Sequence, residues 1–377
     1  MEHSVVVKPH GNSKKRKRPY KRTCPSTLKD LEIELKQYPP KRAVFRVEQK
    51  RGGILSASCV GDLPRNSLQA SRIRCKKKTY QEAGVSNPND PLQALVVKFK
   101  EESGNPDQYV QSIRLVPDPT IVLFNDTQLN DMEQFCASSD KASVLGIDVT
   151  FNLGRFYATL CTYQNFKVVN ERGRHPIMVG PALIHSSKDQ SNFDILFPEI
   201  TNRKPALATS LRAYGTDGEQ ALSNVAAAAF PFATHLRCTN HLRDNITTHL
   251  RKQLLPEAVI KEVLNDTFGT ASEKGLIHAS EKEFDDKMKL LQKRWDLLEK
   301  QHKATGAAVV FKWFRLHVAP IIRENMRCEL LRDLGLEEEK YTQNNSESLN
   351  ALVKRYVNFQ KQDVFQFVND LEECVRE

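Results

Sequence analysis

The segment VLGIDVTFNLG, Val144 to Gly154, constrains this chain more than any other stretch. Val144, Leu145, Ile147, Val149 and Phe151 form an apolar run of the kind found in a strand covered on both faces of a sheet. Asp148 stands in the middle of that run. An ionised carboxylate there is costly unless a cation or hydrogen-bond donors compensate it. Capping acids sit at the ends of elements, so a mid-run Asp reads as a site residue. Its role then depends on which other carboxylates can reach it.

The 377 residues suffice for two or three packed domains. A net charge of +10 favours a polyanionic partner, nucleic acid before membrane. No apolar run approaches the roughly 20 residues needed to cross a bilayer. The N-terminus lacks an apolar signal core, so secretion is not expected. The eight cysteines show no disulfide-framework spacing, which suits reduced thiols inside a cell.

Residues 1–40 read as a disordered basic arm, because KKRKRPYKR can bury nothing. Lys14, Lys15, Arg16, Lys17 and Arg18 within it serve nuclear import or contact DNA phosphates. Residues 41–119 read as a small α/β region that contacts DNA, with AVFRV (Ala43 to Val47) as a short strand. A basic helix over LPRNSLQASRIRCKKK offers Arg65, Arg72 and Arg74 to phosphate or solvent. Cys59 and Cys75 have no CxxC or HxxxH companion and predict no zinc site.

Residues 120–254 carry the clearest pattern. TIVLF is a strand, followed by a helix capped by Asp126 or Thr127. Strands over 144–151, 156–163 and 176–185 come next, with Gly154 and NERGRHP supplying the reversals. A helix over about 190–200, a short strand ending at Thr216, an alanine-rich helix, the strand ATHLRC and a further helix complete the block. Three meandering antiparallel strands, then parallel ones, describe a mixed α/β sheet flanked by helices. Residues 255–340 form an all-helical insertion, in which Phe284, Met288, Leu291, Trp295 and Leu298 recur at helical spacing. VVFKWFRLHVAPII reads as another helix, ended or kinked at Pro320. Residues 341–377 supply closing helices, and the last looks cut off inside a larger architecture. In the first of them, Leu349, Leu352, Val353 and Tyr356 mark the buried side, with Glu347, Asn350 and Lys354 opposite.

The acidic candidates are thus Asp148 mid-strand, Asp217 at a strand's carboxyl end and Glu347 on a helix. Open sheets place ligands beyond the carboxyl ends of their strands. Phosphodiester chemistry suits such a set, since two hard divalent cations about 3.5–4 Å apart are held by carboxylate oxygens. Asp-Gly at 217–218 is also an ordinary turn, so the order of elements carries more weight than any single motif.

IDVTFNLGRFYATLCTY, TDGEQALSNVAAAAFP, HLRCTNHLRDNI and NNSESLN resemble, in that order, the transposase domain of Mutator-like elements. The resemblance covers about Thr120 to Asn350. It implies an RNase H-like core and a DDE triad of Asp148, Asp217 and Glu347 binding two Mg²⁺ or Mn²⁺ ions. It also implies a C-x2-H pair of Cys238 and His241, and an N-x2-E-x2-N context of Asn344, Glu347 and Asn350. The implied partners are transposon terminal repeats and target DNA, engaged by a homo-oligomer in the nucleus, with no membrane. Water would cut the transposon end, and the freed 3′ hydroxyl would attack target DNA. Helix geometry lets Asn350 and Lys354 touch phosphate or orient the carboxylate. His235 extends the pair to H-x2-C-x2-H, but the ligand count falls short of a structural zinc site, so packing or DNA orientation is expected. The N- and C-terminal zinc modules of many members do not appear, which leaves a second expectation open: an inactive or domesticated DNA-binding derivative.

Overall fold

A computed structural model describes residues 22–82, 90–152, 155–169, 173–302, 309–336, 340–356 and 363–376. The chain divides into two compact units, 1–97 and 98–377. The boundary expected between residues 119 and 120 is not where these units part. The basic run Lys14 to Arg18, and the expected reversals at Gly154 and at 170–172, lie outside the described residues.

The first unit is helical among its described residues. Helices Pro25–Glu34, Pro40–Lys50 and Ser67–Glu82 meet around Leu31, Leu35, Ala43, Val47 and Ala70. This corrects two expectations. Residues 25–40 are not part of a disordered arm, because Thr27 and Leu31 are fully buried. AVFRV is helical rather than a strand. Pro39 and Pro40 pre-set the backbone for a helix start. Ala43 and Val47, four apart, then share the buried face while Phe45 turns out to 57% exposure. Arg46 and Lys50, one turn apart, both pair with the buried carboxylate of Glu34.

The second unit holds a seven-stranded mixed sheet flanked by helices. Its strands are β1 (Val110–Arg114), β2 (Thr120–Leu123), β3 (Leu145–Asn152), β4 (Tyr157–Gln164), β5 (Ile177–His185), β6 (Ala213–Thr216) and β7 (Thr234–Arg237). They lie in the order β1-β2-β5-β4-β3-β6-β7. β3, β6 and β7 run parallel, and the other pairs are antiparallel. The Asp126–Cys136 helix is capped by Asn125 rather than by Asp126 or Thr127, because Asn125 and Gln128 form a reciprocal capping box.

The period of two in β3 decides what each face of the sheet does. Leu145, Ile147 and Val149 pack into one apolar layer with Met132, Phe197, Tyr214 and Leu222. Gly146 and Asp148 therefore project to the other face, where the Asn344–Tyr356 helix lies against β3, β4 and β5. The helices between 257 and 334 build a separate core around Trp295, which is 1% exposed. The break expected at Pro320 falls at Val318, with Val310–His317 and Ala319–Asn325 as distinct helices.

Candidate active site at the sheet edge

Three carboxylates are carried to one end of the sheet by separate elements. Asp148 is half-buried on β3, Asp217 follows the last residue of β6, and Glu347 stands exposed in the first turn of the Asn344–Tyr356 helix. Asp217 Oδ1 accepts the Glu219 backbone N–H at 2.9 Å, which shapes the turn entering the alanine-rich helix. Burial holds the Asp148 carboxyl above its usual range, and the charges of Asp217 and Glu347 push it further up. Hydrogen bonding from Asn350 Nδ2, at 2.9 Å from Asp148 Oδ2, and the charge of His241 oppose that rise. Asp148 thus senses the other two acids. Their oxygens do not all lie within 4.8 Å of each other; among the described residues that spacing is met by Cys24, Cys59 and Asp62.

Asn350 corrects the helix-face assignment, because it is 6% exposed and turned inward beside Leu349 and Val353. The Asp148 carboxylate supplies the polar partner that lets an amide sit on the buried side. Lys354 lies on the same helix, and its side chain is outside the described residues.

Four contacts seat this helix on the sheet, none of them evident from motif spacing. Gln343 donates from Nε2 to the Ile147 carbonyl at 2.8 Å and from its backbone N–H to Cys238 Sγ at 3.4 Å. Ser346 and Thr162 share a hydroxyl hydrogen bond of 3.0 Å. Thr239 donates its N–H to the Tyr341 carbonyl at 3.0 Å. Gly146 and Gly215 permit the approach: a methyl at Gly146 would strike Thr162 and Ser346, and one at Gly215 would strike the Tyr341 ring. The signal for these two glycines was present, since each interrupts an otherwise apolar strand.

Cys238 and His241 form a bonded pair beside the acids. Burial pulls the Cys238 thiol up, but hydrogen bonds from the His241 side chain and backbone, and from Gln343, hold it below its ordinary value. The bond to Cys238, opposed by burial and aided by the Asp217 and Asp148 charges, pushes His241 up to about 9. A zinc trio with His235 does not form. His235 stacks on Tyr214 at 4.8 Å and shares a 2.9 Å hydrogen bond with Thr216 Oγ1.

The basic candidates of the first unit are only partly described. Arg65 precedes the Ser67–Glu82 helix, while Arg72 and Arg74 are exposed on it. Burial and the neighbouring Arg72 charge lower the Arg65 pKa, so like charges are held close together there. Cys59 does have a companion, contrary to expectation. Cys24 Sγ lies 3.5 Å from Asp62 Oδ1, and the Cys59 N–H donates to Asp62 Oδ2 at 2.9 Å. Cys24 and Cys59 are far apart in sequence, and the turn at Val60–Asp62 brings them together.

No protein-family model matches this chain, and no curated protein matches it.

Proposed function

We propose that this protein is a metal-dependent polynucleotidyl transferase, a DDE-type transposase of the Mutator-like class on an RNase H-like core. Its substrates would be transposon ends and target DNA, handled by a homo-oligomer in the nucleus. The observation that carries the reading is the meeting of Asp148, Asp217 and Glu347 at one sheet end without a paired lysine or arginine among the described residues. The order of β5, β4, β3, β6 and β7, three antiparallel strands then two parallel ones, supports the core assignment.

The donor set fits hard divalent cations such as Mg²⁺ or Mn²⁺, which favour oxygen ligands. Asn350 Oδ1 and Gln343 Oε1 are additional buried oxygens without a hydrogen-bond partner. Asp148, Asp217 and Glu347 would hold two ions, whose bound state supplies an activated attacking oxygen and charge neutralisation at the phosphate. The chain's own part is orientation. Asn350 fixes one oxygen of Asp148, leaving the other free, while the Asp217 turn is tied through the Glu219 N–H. Gln343 and Ser346 set the height of the Glu347 helix above β3 and β4.

The competing reading is a DNA-binding derivative without catalysis. It is favoured by the exposure of Glu347 and by the spread of the three acids beyond 4.8 Å. The experiment that decides is nicking of terminal-repeat DNA in Mn²⁺, comparing the unmodified chain with Asp217→Asn. Nicking lost in the variant is expected. Equal nicking in both, or none in either, would overturn the catalytic assignment.

A further inference from the structure

Arg237 is a charged side chain with nothing assigned to it. It ends β7 beside Thr216, its register partner on β6. Its guanidinium lies on Gly218, in the position a methyl group there would occupy, and Gly218 has φ +104°. That contact explains the glycine of the Asp217-Gly218 turn: any other residue would be strained and would displace the arginine. Arg237 Nε is buried without a hydrogen-bond partner, and no described carboxylate pairs with the guanidinium. The Asp217 charge is felt there but does not bond it, and burial lowers the Arg237 pKa. Arg203, Arg294 and Arg323, by contrast, each pair with at least one carboxylate. A half-buried guanidinium left without an anion is costly unless a ligand supplies one.

We infer that Arg237 is a phosphodiester-binding residue, gripping the DNA backbone where it passes the Asp217 turn. Its neighbours on the sheet, His235 and Thr216, face away from Asp148. Arg237, the register partner of Thr216, shares that far face, and its guanidinium comes to the site only at Gly218, beside the Asp217 turn, so the gripped phosphate is one next to the phosphate held at the carboxylates. A guanidinium suits this task because its planar fork matches two phosphate oxygens, and the Gly218 contact limits its motion. The assignment rests on the reading that this sheet end receives DNA.

The test measures binding of a fluorescent duplex by the full chain in EDTA, across a salt series, so that no metal or turnover enters. Arg237→Gln should weaken binding about tenfold, the scale of one charged hydrogen-bonded contact. The slope of log affinity against log salt should flatten by about one. Arg237→Lys should restore the slope while recovering only part of the affinity, since an ammonium lacks the fork. Gly218→Ala should weaken binding with every charge retained. A purely structural arginine would leave the salt slope unmoved even where folding suffers. If Arg237→Gln lowers the melting temperature, the slope in Arg237→Lys decides. Unchanged affinity and slope in Arg237→Gln overturn the inference and leave the carboxylate reading standing. Absence of salt-dependent binding by the unmodified chain overturns both.

Discussion

Asp148 at the sheet edge and Asp266 among the helices are both held above the usual carboxylate range, and burial is the leading cause at each. Their neighbours differ in sign. Asp266 accepts from Trp295 Nε1 at 2.8 Å and from Arg294 Nη1 at 2.6 Å. Asp148 has one neutral amide donor, faces two further acids, and meets positive charge only in the His241 ring, which does not bond it. Burial alone therefore does not mark a functional acid. What separates the two is whether the fold bonds the acid to a cation or gathers further acids round it.

The largest way to break this contrast is to exchange each acid in turn. Asp148→Asn should reduce Mn²⁺-dependent nicking to background, whereas Asp266→Asn should leave nicking per folded molecule intact. Equal losses would dissolve the distinction. Stability should respond in the opposite order. Trp295→Ala should cost about 3–5 kcal/mol by emptying the centre of the helical core, seen in chemical denaturation. Asp266→Ala should cost about 1–3 kcal/mol, because the buried indole N–H loses its acceptor.

Asp148→Asn should instead stabilise the protein at neutral pH, by on the order of 1 kcal/mol. The sign follows from the raised carboxyl pKa. The protonated Asp148 favours the folded state below its unfolded pKa, with an ordinary value of 3.8, and this contribution is lost as pH rises through the folded value. The advantage of the variant should therefore vanish in acid, and a gain that persists there would point to another cause. The smallest effect concerns His241. NMR titration should find its ring protonated well above the ordinary 6.5, towards about 9, and Cys238→Ser should return it downwards. An unchanged titration in that variant would remove Cys238 as the cause.

Much of the sheet was legible because β2 to β7 obey short-range rules. Apolar runs of strand length separated by turn residues place TIVL, LGIDVTFN and YATLCTYQ within a residue or two. The stripe through Trp295 was legible for the same reason at helical period. The alternating apolar residues of AVFRV suit a strand, and the Pro39-Pro40 start together with the packing of Ala43 and Val47 on Leu31 and Ala70 chooses the helix. Asn350 was misplaced because polarity suggests solvent until a buried carboxylate is known to await it.

The amino-acid sequence by itself determined most of the strands from β2 to β7 and the helical stripe through Trp295, and it flagged Asp148 as an acid in an apolar strand. Tertiary structure decided what those elements do together. It placed Asn350 on Asp148, Gln343 on the backbone beside it and Arg237 on Gly218. The physical reason is range. Periodicity and capping act over a few residues, whereas these contacts join residues brought together only when the strands assemble and the Asn344–Tyr356 helix docks on them.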